Sequence, residues 1–218
     1  MTHAIADELL LDHASGAASA PVSLLIATHL ALNPAARRSY RQLESLGGVM
    51  LNAIDPIAAE PDALAKVFAR IDRGEGMAPE RQPVPPVTHA QCIPAPLSGY
   101  MADGIDRLAW RQLARGIEEA QLAIEGKHRD RAMLLRIAPG RAIPRHVHRG
   151  VEMTLVLEGA FSDSRGLYAR GDLCIADQTI EHEPVAEQAG DCLCLVVSEG
   201  PVRLTGPFMR MLNPFLTR

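Results

Sequence analysis

The sequence predicts a two-domain α+β protein, in which a small all-α helical bundle precedes a β-sandwich or barrel. Before residue 75, apolar residues recur at helical spacing. After residue 96, short apolar runs are separated by glycine-containing turns. The segment between them is rich in proline and lacks apolar periodicity, which is typical of a linker. We therefore assign a helical domain to 1–75, a proline-rich linker to 76–96 and a β domain to 97–218.

Four helices are predicted in the first domain. An acidic opening at Asp7 suits a helix N-terminus, and Pro21 can occupy the first turn of a second helix. Asn33 is a typical N-cap before Pro34, where a third helix begins. A fourth helix is predicted from Asp62, with one apolar side formed by Leu64, Val67, Phe68 and Ile71. A bundle of about seventy residues has a thin core, so we expect it to complete itself against a partner.

The second domain is predicted to consist of short strands. Four β-rich or apolar runs lie between turn signals such as Glu158-Gly159, at 132–137, 152–158, 173–176 and 192–197. Strands at this spacing are typical of a sandwich or barrel. Cys192 and Cys194 share one face of the last run, where we expect them to pack as small hydrophobic side chains.

Composition narrows the class of protein. The net charge is −4 and the basic residues form no long run, which argues against direct binding of nucleic acid. No apolar stretch approaches the roughly 20 residues that cross a bilayer, and the acidic start does not resemble a secretory signal. The four cysteines lack the spacing of a disulfide framework. We expect a cytoplasmic protein without a membrane segment.

A histidine-rich stretch of the β domain predicts a metal site. His146 and His148 are two residues apart, so they point to the same side of an extended strand. Glu152 follows a short turn and opens the next strand, which can place its carboxylate beside both imidazoles. His182, shortly after the third apolar run, can supply a fourth ligand. Three imidazoles and one carboxylate suit a divalent ion such as zinc, iron, manganese, nickel or copper.

The same residues resemble the cupin superfamily. The first cupin motif, G-x5-H-x-H-x3-E-x6-G, is met in full from Gly140 to Gly159. The second motif, usually G-x5-P-x-G-x2-H-x3-N, keeps Gly171 and His182. It departs from the usual proline, glycine and asparagine at Asp177, Thr179 and Ala186. The resemblance implies a cupin β-barrel (jelly roll) that binds one divalent metal, with zinc preferred over iron, manganese or nickel.

A closer resemblance spans nearly the whole chain. The stretches LLIATHLALNPAARRSYRQLESLGGVML, HVHRGVEMTLVLEGAFSD and YARGDLCIADQTIEHEPVAE are similar to the ChrR-type cupin anti-sigma factors. The resemblance implies that the helical domain sequesters an extracytoplasmic-function (ECF) sigma factor. It also implies that the metal-binding cupin domain is needed to release that factor during a stress such as singlet oxygen or organic peroxide. On this hypothesis the chain is a transcription regulator with no catalytic residues.

The N-terminal domain departs from the family. Members typically carry a zinc site made of histidines and the pattern H-x3-C-x2-C. Here His29 is kept, Asn33 and Ala36 stand at the two cysteine positions, and His3 is the one upstream candidate. Neither Asn nor Ala can supply a thiolate, so no N-terminal zinc is expected. We expect His29 to be a satisfied core histidine and Asn33 to hold the turn by capping.

Two alternatives remain at the level of sequence. A cupin metal-dependent dioxygenase-like enzyme would need open coordination positions and a polar pocket. The sequence offers no distinct catalytic base for it, and Glu158 and Glu181 are the nearest candidates. A metal-binding cupin could also act through a protein that is not a sigma factor. Because cupins commonly dimerise, a homodimer stays open as well.

Overall fold

The computed structural model describes residues 5–74, 93–101, 103–124 and 130–205. His3 and residues 76–92 of the predicted linker lie outside them. The last residues assigned to the linker are part of the packed protein, because Pro94 is buried and Ala95–Ser98 forms a short helix. That helix places Leu97 in the core with no exposed surface.

The chain runs from helices to strands, in the predicted order. The α-helices are α1 (Asp7–Ser15), α2 (Ala20–Leu32), α3 (Pro34–Asn52), α4 (Ala63–Asp72) and α5 (Ala95–Ser98). The β-strands are β1 (Arg111–Ala114), β2 (Ile117–Gln121), β3 (Arg131–Ile137), β4 (His146–His148), β5 (Glu152–Glu158), β6 (Ala160–Asp163), β7 (Gly166–Ala169), β8 (Leu173–Ala176), β9 (Val185–Ala186), β10 (Cys192–Ser198) and β11 (Val202–Leu204). All four predicted strands are present, within one residue of their predicted ends.

The helix ends follow from local capping. The Ser19 hydroxyl accepts a hydrogen bond from the Val22 amide at 3.4 Å and begins α2. The Asn33 side chain accepts hydrogen bonds from the backbone amides of Ala35 and Ala36 at 3.0 and 3.1 Å. The predicted N-cap of α3 is therefore confirmed.

The β domain is an antiparallel structure in two layers. Six strands form one sheet in the order β1-β2-β3-β10-β5-β8, and the others form the smaller sheets β11-β4 and β7-β6-β9. Isolated bridges between Ala142 and Val185 and between His146 and His182 link the two smaller sheets. Helices followed by a cupin-like domain confirm the predicted fold class. Within the described residues the strands form three sheets rather than one closed barrel.

Both faces of the six-stranded sheet are apolar at its centre. Because side chains alternate along a strand, Leu134 and Leu195 point to one face and Leu135 and Val196 to the other. The first face is covered by helices, and the second faces the smaller sheets. Strand β10 is accordingly buried along its whole length.

Helix α2 covers the outer face of this sheet. Leu25 and Ile26 have no exposed surface and belong to the same apolar cluster as the strand leucines. Ser19, at the start of the helix, donates a hydrogen bond to Asp130, and Leu32, at its end, lies against Gly171. The first two helices thus share their core with the cupin sheet, whereas the sequence suggested a bundle with a thin core of its own.

The glycine that closes the first cupin motif is required by the fold. Gly159 turns the chain between β5 and β6 with φ of 69°, a conformation that side chains disfavour. A Cβ atom there would lie 2.3 Å from the carbonyl oxygen of Asp191. No larger residue fits this turn without moving the backbone of the neighbouring strand.

In the described part of the chain, no single helix has both the length and the apolar character that a bilayer crossing requires. Helices α1 and α2 have sufficient length and apolar character only when they are taken together, and the two helices are bent by 114° at the break between them.

Candidate metal centre

The predicted ligands come from three neighbouring elements. Strand β4 carries His146 and His148, and Glu152 is the first residue of β5. Two backbone hydrogen bonds hold His182 opposite His146. The His146 amide donates to the His182 carbonyl oxygen at 3.0 Å, and the His182 amide donates to the His146 carbonyl oxygen at 3.1 Å. Local strand geometry therefore orients two imidazoles, and this bridge brings in the third.

The structure brings all four predicted side chains together. The Nε2 atom of His182 lies 2.9 Å from Nε2 of His146 and 3.0 Å from Nε2 of His148. A carboxylate oxygen of Glu152 is 3.4 Å from Nδ1 of His148. One ligand atom from each residue falls within a mutual separation of 4.8 Å. The three histidines are 2–4% exposed, so the group lies inside the domain.

The donor chemistry of this cluster fits a cation. Nδ1 of His146 donates to the carbonyl oxygen of Pro144 at 2.8 Å, and Nδ1 of His182 lies 3.4 Å from the carboxylate of Asp163. With these protons on Nδ1, the two Nε2 atoms face each other as lone pairs. Burial lowers the pKa of His182 to about 4 and that of His148 to about 3, which disfavours a shared proton. A metal ion would remove this repulsion.

Glu152 differs from the histidines in its protonation. Burial raises its pKa to about 7, and the hydrogen bond that the Thr154 hydroxyl donates to it opposes this shift. A nearby cation would favour the ionised form. The carboxylate is thus able to act as an anionic ligand once a divalent ion is present.

A second group of side chains surrounds His182. The buried carboxylate of Asp163 forms an ion pair with Arg165 at 3.1 Å. The same guanidinium lies 2.8 Å from the sulfur of Cys174. Asp163, Cys174 and His182 are close enough to suggest a second metal site, but Arg165 already supplies positive charge there. We interpret this group as support for the His182 ring. Sequence reasoning missed Asp163, the last residue of β6, and Arg165, in the turn that follows it, because neither belongs to a motif.

The altered second cupin motif still forms a turn before His182. The carboxylate of Asp177 accepts hydrogen bonds from the backbone amide and hydroxyl of Thr179 at 2.8 and 2.6 Å. The Ile180 amide donates to the Asp177 carbonyl oxygen at 3.1 Å. An Asx turn therefore replaces the usual proline and glycine.

The candidate bases of the enzyme alternative lie away from the domain interior. Glu158 is exposed at the end of β5. Glu181 is exposed and lies 3.8 Å from Arg145. A buried carboxylate that the sequence analysis missed, Glu119, lines an interior cavity beside the histidines. Its only sequence signal is its place two residues after Ile117, on the same face of β2.

The cysteines of β10 are buried, as expected. Cys192 and Cys194 have no exposed surface, and their sulfur atoms are 3.6 Å apart. They belong to the apolar cluster on the inner face of the sheet, together with Cys174.

Comparison with known proteins places the chain in a family. Residues 101–203 match the family model described as the ChrR cupin-like domain. The chain is also 38% identical to the anti-sigma-E factor ChrR of Cereibacter sphaeroides over 214 residues, which cover 98% of this chain and 97% of that protein. The chain belongs to the ChrR family of anti-sigma factors.

A solved structure of the family supports the same assignment. The crystal structure of Rhodobacter sphaeroides SigE in complex with the anti-sigma factor ChrR matches with a TM-score of 0.76 at 38% identity. The match covers 91% of this chain and 99% of the matched chain. The ChrR likeness therefore extends over the helices as well as the β domain.

The N-terminal positions that depart from the ChrR pattern are partly described. Asn33 caps α3, and Ala36 is buried in the shared core. His29 is fully buried, as expected, but neither of its ring nitrogens has a hydrogen bond of normal geometry among the described residues. Burial lowers its pKa, while the backbone of Gly171 and the charge of Asp172 oppose the shift. The expectation that this histidine is satisfied is therefore not met.

Proposed function

We propose that the chain is an anti-sigma factor that sequesters an ECF sigma factor through its helical region. The observation that carries the proposal is an apolar surface on α3 and α4 that the described residues leave open to solvent. In this proposal, the metal-binding cupin domain is needed for release of the sigma factor during stress.

The α3–α4 apolar surface is defined by exposed side chains at helical spacing. They are 52–69% exposed and comprise Leu46, Val49, Met50, Leu64, Val67, Phe68 and Ile71. Helix α4 buries none of its residues, whereas α2 is buried at its centre. Exposed apolar faces of this kind, present on both α3 and α4, mark an interaction site for another protein.

The family relationship supports a sigma factor as the partner. The matched crystal structure contains ChrR together with SigE, and ChrR is itself named an anti-sigma-E factor. Because the present chain matches ChrR through its helices as well as its β domain, we propose the same class of partner. A cytoplasmic location follows from this role, since sigma factors act on RNA polymerase.

We further propose that His146, His148, Glu152 and His182 hold one divalent ion, with zinc preferred. The support is the convergence of three neutral imidazoles and one carboxylate in a buried cluster. Such an ion would cross-link β4, β5 and the segment around His182 and so stabilise the inner layer of the domain. Zinc suits this role because it has no redox chemistry and accepts a closed set of nitrogen and oxygen ligands.

The sigma-factor proposal is tested by co-expression. The full-length chain carrying an affinity tag is expressed with the ECF sigma factor encoded beside it, and the sigma factor that co-purifies is measured. Phe68→Glu and Val67→Glu should each reduce the captured sigma factor by at least about tenfold, because a buried unpaired carboxylate opposes an apolar interface.

Leu167→Glu provides a matched control for that experiment. Leu167 lies on β7 of the cupin domain and is 55% exposed, close to the 56% of Phe68. This variant adds the same charge and should capture as much sigma factor as the unmodified chain. If the unmodified full-length chain retains no sigma factor, or if the substitutions in α4 leave capture unchanged, the proposal is wrong.

A further inference from the structure

Helix α4 has an apolar face that nothing covers among the residues that the structure describes. None of its 10 residues is buried, although Leu64, Val67, Phe68 and Ile71 recur at i, i+3, i+4 and i+7. A helix shorter than about 12–15 residues is marginal in water unless its apolar face packs against another surface. A partner surface is therefore needed for α4 to persist as a helix.

The C-terminal half of α3 presents a second apolar face of this kind. Its residues 44–52 are exposed along their whole length, whereas Tyr40 and Leu43, just before them, pack against the shared core. Leu51 and Ile54 are 68% and 67% exposed and enlarge the apolar face of this helix. The helix thus leaves the core halfway along its length and extends into solvent.

The two faces match in length and in charge. At roughly 1.5 Å per residue, the exposed half of α3 is about 14 Å long and α4 is about 15 Å long. Glu44 gives residues 44–52 a charge of −1. Lys66 and Arg70 against Asp72 give α4 a charge of +1. Because opposite charges attract and like charges repel across an interface, α4 suits α3 of another molecule better than it suits a second α4.

We infer that two copies of the free chain associate through these helices, with α4 of each protomer against residues 44–52 of the other. A two-fold axis makes this contact twice, so both faces of each protomer are covered and assembly stops at a dimer. The dimer rests on the proposed function in one respect. The sigma factor must displace the second copy, since both bind the same helices.

The apolar area is sufficient for a stable dimer. The side chains of the α3–α4 apolar surface, together with Leu51 and Ile54, expose on the order of 1,000 Å² in each protomer, and a stable interface of standard size buries about 800 Å² per partner. Gly47 lies one turn before Leu51, and a Cβ atom there would meet nothing within 4 Å. The missing side chain lets the backbone of a second helix approach closely at this point.

The test measures the mass of the full-length chain in solution without a sigma factor. Sedimentation equilibrium should show reversible conversion of the 23.5 kDa monomer to a species of twice that mass, with a dissociation constant in the micromolar range, between about 1 and 100 µM. Phe68→Glu and Leu46→Glu, one in each helix, should each weaken dimerisation by at least about tenfold. Leu167→Glu, at a similarly exposed site on β7, should dimerise as the unmodified chain does.

Hydrogen exchange tests the same contact without a substitution. The amides of α4 should exchange more slowly at about 100 µM than at about 1 µM, because dimerisation protects the helix from opening. The amides of α2 serve as the internal control. This helix is already buried in the shared core, so its exchange should not depend on the concentration of the chain.

Three results would overturn the dimer. They are a chain that stays monomeric at every concentration, a dimer that survives both glutamate substitutions in the helices, and growth beyond two copies, which a closed two-fold contact does not allow.

Addition of the ECF sigma factor separates this dimer from the proposed function. The sigma factor should convert the dimer into a one-to-one complex, and a complex with two copies of each protein would contradict a shared binding surface. If the chain dimerises but retains no sigma factor, the proposed function alone is wrong. If a chain that is monomeric when free retains the sigma factor, the dimer alone is wrong.

Discussion

The Nδ1 atom of His182 lies 3.4 Å from Oδ2 of Asp163, and neither side chain is more than 3% exposed. Asp163 also receives the Arg165 guanidinium at 3.1 Å. Hydrogen bonds from Arg165 outweigh the effect of burial and hold the pKa of Asp163 below its usual range. The carboxylate is therefore ionised and able to keep the His182 proton on Nδ1, which leaves Nε2 free for a metal ion.

Asp163→Asn should weaken zinc binding about 10- to 100-fold, as is usual when the partner of a metal-bound histidine is lost. The amide keeps the shape of the side chain but no longer provides a negative charge for the imidazole. Competition with a chromogenic chelator measures the change. Asp191→Asn, at an exposed position of the same domain, should bind zinc as the unmodified chain does. Equal affinities in the two variants would show that Asp163 does not support the site.

Zinc affinity should fall as the pH drops below about 7. Burial raises the pKa of Glu152 to about 7, so the free site is protonated below that pH and must release a proton when the ion binds. The affinity is expected to fall about tenfold for each unit of pH in that range. His148 and His182 add little there, because burial lowers their pKa values to about 3 and about 4.

Chelator competition at about pH 6 and about pH 8 measures this dependence on Glu152. Glu152→Gln cannot release the proton, so it should bind zinc more weakly at both values, with little difference between them. A flat profile for the unmodified chain would contradict the assignment of Glu152 as an ionisable ligand.

His29→Leu should raise the free energy of unfolding by about 1 kcal/mol, because an apolar side chain replaces a buried polar ring that makes no well-formed hydrogen bond with the described residues. Urea denaturation measures the change. Leu25→Ala, in the same helix and with no exposed surface, should instead lower stability by about 2–5 kcal/mol. The zinc content should be unchanged in His29→Leu, and loss of an equivalent of zinc would contradict the expectation of a metal-free N-terminal region.

Asn33→Ala should lower the free energy of unfolding by about 1 kcal/mol, because two backbone amides at the start of α3 lose their acceptor. Urea denaturation again provides the measurement. Asn33→Asp keeps an acceptor oxygen and adds a charge that the helix N-terminus favours, so it should be as stable as the unmodified chain. If the alanine variant is equally stable, the cap does not hold the turn.

Features that depend on local spacing could be predicted from the sequence. The strand at His146–His148 and the helix cap at Asn33 follow from two or three adjacent residues, because backbone geometry sets which side chains share a face. Three of the four candidate metal ligands lie within seven residues of one another, so their pattern was readable without a structure. His182 lies outside that stretch and was predicted from its place after the third apolar run and in the second cupin motif.

The tertiary structure alone decided which distant segments meet. Helix α2 shares its core with the cupin sheet. Its apolar residues alone do not show whether the helix packs against these strands or against the other helices of a bundle. Asp163 supports His182 across 19 residues, and Glu119 reaches the cavity from a strand with no motif. These contacts depend on how the strands pair and how the layers stack. Because they join residues far apart in the chain, no short sequence motif predicts them.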